Sequence, residues 1–138
     1  MGITYRLLEQ GDEAVLLNIA DGVFDNSVDP DRARAYLAEP RYEMAVALDG
    51  DRVVGMASGF SYFHPDKPDE FFVNECGVAD AYLRKGIATE LMNLLLSHAR
   101  ALGCAYCWLG TEIENIAANG LYTSLGGKAS TFVLYEWE

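Results

Sequence analysis

Basic residues are scarce in this sequence of 138 residues, in which ten Lys and Arg oppose twenty-one Asp and Glu and the formal net charge is −11. The phosphates of nucleic acids and anionic lipids would repel such a chain, so we expect neither nucleic acid nor a membrane as a partner. The charge favours a small cationic partner, although an acidic surface that only confers solubility would have the same composition.

Long apolar runs and a secretion signal are also lacking. No run approaches the roughly 20 residues of a membrane-spanning helix, and residues 1–10 show no basic stretch followed by an apolar one. The sequence therefore predicts a cytoplasmic protein.

Metal ligands of the usual kinds are few, with three cysteines and two histidines in the whole sequence. The odd number of cysteines argues against a disulfide framework. Cys104 and Cys107 form a C-x-x-C pair, but His64 and His98 lack the spacing of a second zinc-binding pair. We therefore expect no metal site, and ordinary buried thiols at positions 104 and 107.

Hydrophobic residues make up 51% of the chain, and no repeat or linker interrupts it, so we expect a single domain over residues 1–138. The hydrophobic patterning predicts the element order β-α-α-β-β-β-α-β-α-β. The strands are expected at 3–8, 42–48, 52–62, 70–78, 104–110 and 130–137, and the helices at 12–20, 30–38, 87–102 and 115–125. Tight turns and helical crossovers together indicate a mixed, mostly antiparallel central sheet flanked by helices. Gly77, inside a strand, indicates a bulge or the close approach of another molecule.

Two adjacent cations precede the longest predicted helix. Arg84 and Lys85 oppose the helix dipole, which normally favours acids at this end. Gly86 and Ala88 leave the backbone open, and the free N–H groups of a helix N-terminus bind phosphate. The segment therefore predicts an anion site, with an ordinary turn that carries a solvated basic pair as the alternative.

Asn115, Asn119 and Tyr122 share one face of the next predicted helix at positions i, i+4 and i+7. Two amides and a phenol are suited to lining a cleft and binding a ligand that carries amide groups. A polar face directed to solvent would have the same pattern.

These two segments resemble the motifs of the GNAT N-acetyltransferases, and the element order resembles that family over essentially the whole chain. Residues 78–91 (VADAYLRKGIATEL) are similar to motif A, Q/R-x-x-G-x-G/A between a strand and a helix, with Leu83 in place of the usual Gln or Arg. Residues 115–126 (NIAANGLYTSLG) are similar to motif B. The resemblance implies a GNAT-like α/β (α+β) fold and acetyl-CoA as co-substrate.

The resemblance also implies roles for individual residues. Tyr122 would protonate the departing thiolate, and the backbone of Cys76 and Val78 would pair with the thioester and the pantetheine arm. Asn115 and Asn119 would hold that arm alongside. The coenzyme A pyrophosphate would lie on the loop made of Arg84, Lys85, Gly86, Ile87 and Ala88.

A narrower resemblance links the chain to aminoglycoside 3-N-acetyltransferases, through GIATEL at 86–91, ALG at 101–103 and LYTSLG at 121–126. Those enzymes place an acid near the end of the corresponding strand, where this chain has Glu75, and acids after the next strand, where it has Glu112 and Glu114. The resemblance implies that these three acids bind the acceptor, and that Glu75 is the catalytic base, directly or through a water molecule.

The sequence thus predicts an acetyl-CoA-dependent N-acetyltransferase that moves an acetyl group directly to a primary amine of a small cationic acceptor, aminoglycoside-like or polyamine-like. Cys76 has no local histidine to activate it as a nucleophile. A protein or peptide N-acetyltransferase and a non-catalytic coenzyme A-binding sensor are the alternatives. The apolar segment 131–137 is compatible with a homodimer.

Overall fold

The computed structural model describes residues 2–138. Its strands are β1 (Ile3–Leu7), β2 (Tyr42–Asp49), β3 (Arg52–Tyr62), β4 (Glu70–Val78) and β5 (Tyr106–Trp108). Its helices are α1 (Pro30–Ala38), α2 (Ile87–Ala101) and α3 (Ile116–Ser124), with short 3-10 helices at Glu13–Leu17 and Asp80–Tyr82. No helix within residues 2–138 is long and apolar enough to cross a membrane.

The five strands form one sheet in the order β1-β2-β3-β4-β5. The first four pair antiparallel, and β5 pairs parallel with β4 after the crossover through α2. A mixed, mostly antiparallel sheet flanked by helices is therefore confirmed.

Helix α2 packs against the centre of the sheet because its apolar side chains recur at helical spacing. Leu91 and Leu95 are fully buried, and Leu91 lies so close to Gly55 of β3 that a methyl group there would lie 3.0 Å from its Cδ1. On the opposite face, α1 begins with Asp29, whose side chain accepts a hydrogen bond from the Arg32 N–H at 3.1 Å, followed by Pro30 at the first helical position. These two helices cover the two faces of the sheet, α1 against β2 and α2 chiefly against β3.

The predicted helix at 12–20 is wrong in extent, because only Glu13–Leu17 is helical and the helix is of the 3-10 type. The carboxylate of Asp12 is occupied by Arg6 and by the Glu9 N–H, so it does not cap the helix. Beyond Leu17 the backbone instead pairs with Val53, which donates to Asn18 and accepts from Ala20.

The predicted strand at 130–137 is also wrong, because residues 127–138 have no regular secondary structure. Its side chains are β-prone, but a strand is stable only when it pairs, and β5 offers an edge of three residues instead of the predicted seven. Phe132, Leu134 and Trp137 remain 63%, 70% and 88% exposed.

Candidate active site

The strands β4 and β5 separate part-way along their length. Their pairing ends at Phe72 and Trp108, whereas β4 continues to Val78. The gap is a cleft of about 200 Å³, which we call the splay cleft. Its lining comes from β4, from the chain after β5 and from α3, and consists of Val73, Asn74, Glu75, Cys76, Leu109, Gly110, Thr111, Asn115, Ala118 and Tyr122.

The edge of β4 that faces this cleft carries free backbone groups. Ala79 N–H donates to Val54 of β3 at 2.9 Å. Because backbone groups alternate between the two edges of a strand, those of Cys76 and Val78 point away from β3 and towards the cleft. An extended ligand could therefore bind β4 as an added strand at these two residues.

A β-bulge sets the direction of Glu75. Ser58 pairs with Glu75 and Gly59 with Val73, so Asn74 is an extra residue in β4. A bulge bends its strand and redirects the neighbouring side chain. The bulge therefore lies at Asn74, so of the two alternatives predicted for Gly77, a bulge or a close approach, the bulge is wrong.

Gly77 instead permits a close approach within the same chain. A methyl group there would overlap the carbonyl oxygen of Val23. The absence of a side chain thus lets the segment around Val23 pack on β4. That segment continues into Asp25 and the start of α1.

Glu75 also lines a second cleft, of about 310 Å³, which we call the α1 cleft because it lies beside that helix. The polar groups that share it with Glu75 include Asp25, Tyr36 and Ser58. Burial, and secondly the charge of Asp25, raise the pKa of the Glu75 carboxyl above its ordinary value. A carboxylate with a raised pKa is a stronger base, and this one lies where the two clefts meet.

Tyr122 approaches the splay cleft from α3. Its backbone is held at the helix end, where Gly127 N–H donates to the Tyr122 carbonyl at 3.0 Å. Burial, and then the nearby Cys76, raise the pKa of the phenol. Within residues 2–138 the hydroxyl has no hydrogen-bond partner, so a protonated phenol is free to serve a ligand in the cleft.

The thiol of Cys76 is a poor nucleophile, because burial raises its pKa to about 11 and the reactive thiolate is disfavoured. Neither histidine lies beside it. His98 Nε2 is 2.8 Å from Glu43 Oε1, and His64 Nε2 is 3.3 Å from Glu70 Oε1 at the far end of β4.

The loop before α2 has the backbone form of an anion site. Arg84 and Gly86 both have left-handed conformations, with φ of +62° and +79°. Loops in which such conformations alternate with ordinary ones direct successive N–H groups into a concavity. Among residues 2–138, nothing lies within 4 Å of a methyl group built on Gly86, so the concavity is open.

The N–H donors of this loop have no acceptors in the part of the chain that the structure describes. In the described chain, no group accepts from the N–H of Lys85, Gly86, Ile87 or Ala88, and the first helical bond runs from Glu90 to Gly86 at 3.1 Å. Arg84 and Lys85 are exposed, and within residues 2–138 neither forms an ion pair. These features fit a phosphate group. No group of three or more His, Cys, Asp or Glu within residues 2–138 could hold a metal ion.

The two asparagines have different positions. Asn115 lines the splay cleft and caps α3, where its Oδ1 accepts from Ala118 N–H at 3.1 Å. Asn119 lies outside the cleft lining, and its amide donates to the carbonyls of Glu112, Ile113 and Asn115. The structure thus brings Asn115 together with Tyr122 but uses Asn119 to fix the preceding loop.

Glu112 and Glu114 are exposed in that loop and line neither cleft. The acids that join Glu75 in the α1 cleft are instead Asp25 and Asp29. Sequence reasoning missed Asp25, because its place depends on the packing of a loop against Gly77. Asp29 was recognisable in the sequence, because it precedes Pro30, but that pattern indicates a helix cap and not a residue of the cleft.

The model of the acetyltransferase (GNAT) family matches residues 14–126. The chain belongs to this family. That match contains the splay cleft, the α1 cleft and the loop before α2, so the predicted family is confirmed together with its fold.

Among curated proteins, the chain is similar to the N-alpha-acetyltransferase RimI of Mycobacterium tuberculosis, at 38% identity over 90 residues. It is also similar to the L-2,4-diaminobutyric acid acetyltransferase of Virgibacillus pantothenticus, at 30% identity over 86 residues. These matches cover 65% and 62% of this chain, and 54% and 53% of the two relatives. The chain thus spans about half the length of the curated relatives it matches.

Solved structures of aminoglycoside acetyltransferases share the fold. One is HMB0005 from an uncultured soil metagenomic sample, with a TM-score of 0.82, 22% identity, and coverage of 100% of this chain and 99% of the other. Another is AAC(6')-Iy in complex with the bisubstrate analogue CoA-S-monomethyl-acetylneamine, with a TM-score of 0.82, 14% identity and coverage of 100% and 99%. At these identities the likeness establishes the fold alone.

Proposed function

We propose that this GNAT-family chain is an acetyl-CoA-dependent N-acetyltransferase that transfers the acetyl group directly to a primary amine of a small cationic acceptor. The observation that carries the proposal is the position of Glu75, which lines both the splay cleft and the α1 cleft. A coenzyme in the first cleft and an amine in the second would meet at this carboxylate.

The coenzyme is assigned from the protein groups available to it. The free N–H groups from Lys85 to Ala88, beside two cations, suit the pyrophosphate. The outward backbone groups of Cys76 and Val78 suit the amide-bearing pantetheine arm, and Asn115 lies on the opposite wall of the splay cleft. The thioester would then lie near Tyr122.

The chemistry follows from the two titratable groups. Glu75 takes a proton from the ammonium of the acceptor, directly or through a water, and the free amine attacks the thioester carbonyl carbon. A C–N bond forms, the C–S bond breaks, and Tyr122 gives its proton to the departing sulfur. The proton that the new amide nitrogen still has in excess then returns to the Tyr122 phenolate, directly or through a water, and Glu75 releases its proton to solvent. The raised pKa values of both groups favour these roles, because Glu75 is a stronger base than usual and Tyr122 stays protonated at neutral pH.

Charge supports a cationic acceptor. Asp25 and Glu75 both line the α1 cleft, and the chain as a whole carries a net charge of −11. A negative cleft raises the local concentration of a cation and speeds its association. A protein or peptide N-terminus is the second candidate acceptor, favoured by the similarity to RimI.

The test is thiol release from acetyl-CoA with a panel of polyamines, aminoglycosides, peptides and neutral amines. The proposal predicts release with cationic small amines and little with neutral ones. Release only with peptides would support the second candidate. Tight binding of coenzyme A with no release for any amine would contradict an enzyme and indicate a coenzyme-binding sensor.

Glu75→Gln is the matched variant for this assay. It removes the base but keeps the shape of the side chain, so release should fall by about 10²-fold or more. The melting temperature at neutral pH should not fall, because the raised pKa means that folding disfavours the carboxylate form. Full activity of this variant would exclude Glu75 as the base.

A further inference from the structure

A row of aromatic rings crosses the sheet on the face that carries α1. Tyr42, Phe60, Phe72 and Trp108 are neighbours on β2, β3, β4 and β5 in direct register. Their successive ring centroids are 5.4, 5.6 and 4.6 Å apart. Four strands at about 4.8 Å spacing make this row roughly 14 Å long. We call these four rings the aromatic row.

The aromatic row is continuous with the α1 cleft. The ring of Tyr36, which lines that cleft, lies 5.1 Å from the ring of Tyr42. Ser58, also in the cleft, is two residues before Phe60 on β3, so both side chains face the same side of the sheet. A molecule that fills the α1 cleft and extends beyond it therefore meets the aromatic row.

The row ends beside the carboxylate of Glu70, whose Oε1 lies 3.3 Å from His64 Nε2. Trp108 Nε1 donates to the Tyr62 hydroxyl at 2.6 Å, and that hydroxyl donates to Glu70 Oε1 at 2.9 Å. The hydrogen bond from Tyr62 and the nearby His64 lower the pKa of Glu70. The outer rings stay accessible, since Tyr42 is 42% and Trp108 38% exposed.

Aromatic faces and a carboxylate together suit a cation with an apolar stem. We propose that the aromatic row is a second acceptor subsite, which holds the distal cationic part of an elongated polyamine while its reacting amine lies at Glu75. This inference rests on the proposed function. It adds that rings outside the α1 cleft bind the distal part of a long acceptor. Trp108 and Glu70 would therefore make the protein prefer long acceptors over short ones.

The experiment compares spermine with putrescine, a short diamine, as acceptors. Wild-type protein should show the higher kcat/KM with spermine. Trp108→Leu keeps an apolar side chain but removes the aromatic face, and should lower kcat/KM for spermine by about threefold or more while putrescine changes by less than about twofold. Glu70→Gln should act in the same direction.

Phe63→Leu is the control, because this exposed ring lies outside the row and packs under Arg41 at 4.2 Å. This variant should leave kcat/KM unchanged for both spermine and putrescine. Melting temperatures of all variants show whether β5 has been disturbed; a Trp108→Leu variant that is unfolded leaves Glu70→Gln to decide.

A binding measurement separates this inference from the proposed function. In a Trp137→Phe background Trp108 is the single tryptophan, and spermine should change its fluorescence at concentrations at which putrescine does not. Equal responses to both amines, or no preference for spermine in turnover, would overturn the inference. Dimers that dissociate on Trp108→Leu with unchanged kinetics would assign the row to a second copy of the chain and overturn it equally. A spermine response without any thiol release would instead overturn only the proposed function.

Discussion

Tyr122 is the residue for which loss of a single oxygen distinguishes catalysis from packing. If its phenol protonates the sulfur, Tyr122→Phe should lower kcat by about 10²–10⁴-fold, because a positioned acid contributes that much to the rate. Affinity for acetyl-CoA and the melting temperature should stay nearly unchanged, since the ring remains. Steady-state kinetics, calorimetry and thermal unfolding check the three quantities.

Tyr82→Phe is the matched control, because the Tyr82 hydroxyl donates to Asp49 away from both clefts. It should cost stability and leave kcat intact. A loss of less than about threefold in kcat for Tyr122→Phe would mean that the proton reaches sulfur from another source, such as water.

The pH dependence tests the link between Glu75 and Asp25. A base works only when deprotonated, so kcat/KM should fall as the pH drops through the raised pKa of Glu75. Asp25→Asn removes a negative charge that raises this pKa, so the acid limb of the profile should move to lower pH. It should stay above the ordinary range of a glutamate, because burial is the larger cause. An acid limb that does not move would show that another group titrates.

At the scale of elements, the N-terminus of α2 carries the coenzyme assignment. Gly86→Glu places a bulky, negative side chain in the open concavity, and should weaken coenzyme A binding by well over tenfold. Gly103→Glu is the control, because Gly103 also has a left-handed φ, of +93°, and open surroundings, but lies just past the other end of α2. Both variants place a side chain at a left-handed φ, so a loss of coenzyme A affinity confined to Gly86→Glu, measured by calorimetry, comes from the position of the new carboxylate.

Unchanged coenzyme affinity in Gly86→Glu would remove the phosphate from this loop. Equal losses of coenzyme A affinity in Gly86→Glu and Gly103→Glu would mean that destabilisation of α2, and not the loop before it, causes the weaker binding. Thermal unfolding of both variants in the absence of coenzyme measures that contribution separately.

Elements with strong local signals were predictable from the sequence, and those that need a partner were not. Asp29-Pro30 and the apolar stripe of α2 predict their helices because caps and periodicity are local properties. The segment 130–137 has the composition of a strand, but the neighbouring edge strand β5 is only three residues long and the segment does not pair with it. The segment 18–20 follows a helical pattern, yet pairs with Val53 of β3 instead.

The same distinction applies to the site. Residues within the two motifs, such as Tyr122 and Asn115, could be placed on the cleft because helix spacing is local. Asp25 could not, since it reaches Glu75 only through the contact of Val23 with Gly77. The row from Tyr42 to Trp108 was equally hidden, because strand register brings these four rings together.

At the scale of the whole molecule, a net charge of −11 acts on any charged acceptor. The KM of a cationic acceptor should rise with salt, because screening weakens the attraction over distances beyond roughly 10 Å at 0.1 M. Coenzyme affinity should show no parallel trend from the acids at the α1 cleft. Kinetics at several ionic strengths measure both.

The salt experiment also locates the acids that matter. Asp25→Asn should reduce the salt dependence of the acceptor KM more than Glu112→Gln or Glu114→Gln, because the latter two acids line neither cleft. A preference for anionic or neutral acceptors would refute the electrostatic argument.

Direct transfer between the two clefts that meet at Glu75 is tested by following the acetyl group itself. Acetyl-CoA labelled in the acetyl group is mixed with the protein and a cationic amine, and mass spectrometry locates the label. We predict label on the amine nitrogen and none on the protein. Cys76 in particular should stay unlabelled, because burial raises the pKa of its thiol to about 11. Label on Cys76 that later moves to the amine, or label that stays on a tightly bound coenzyme, would contradict direct transfer.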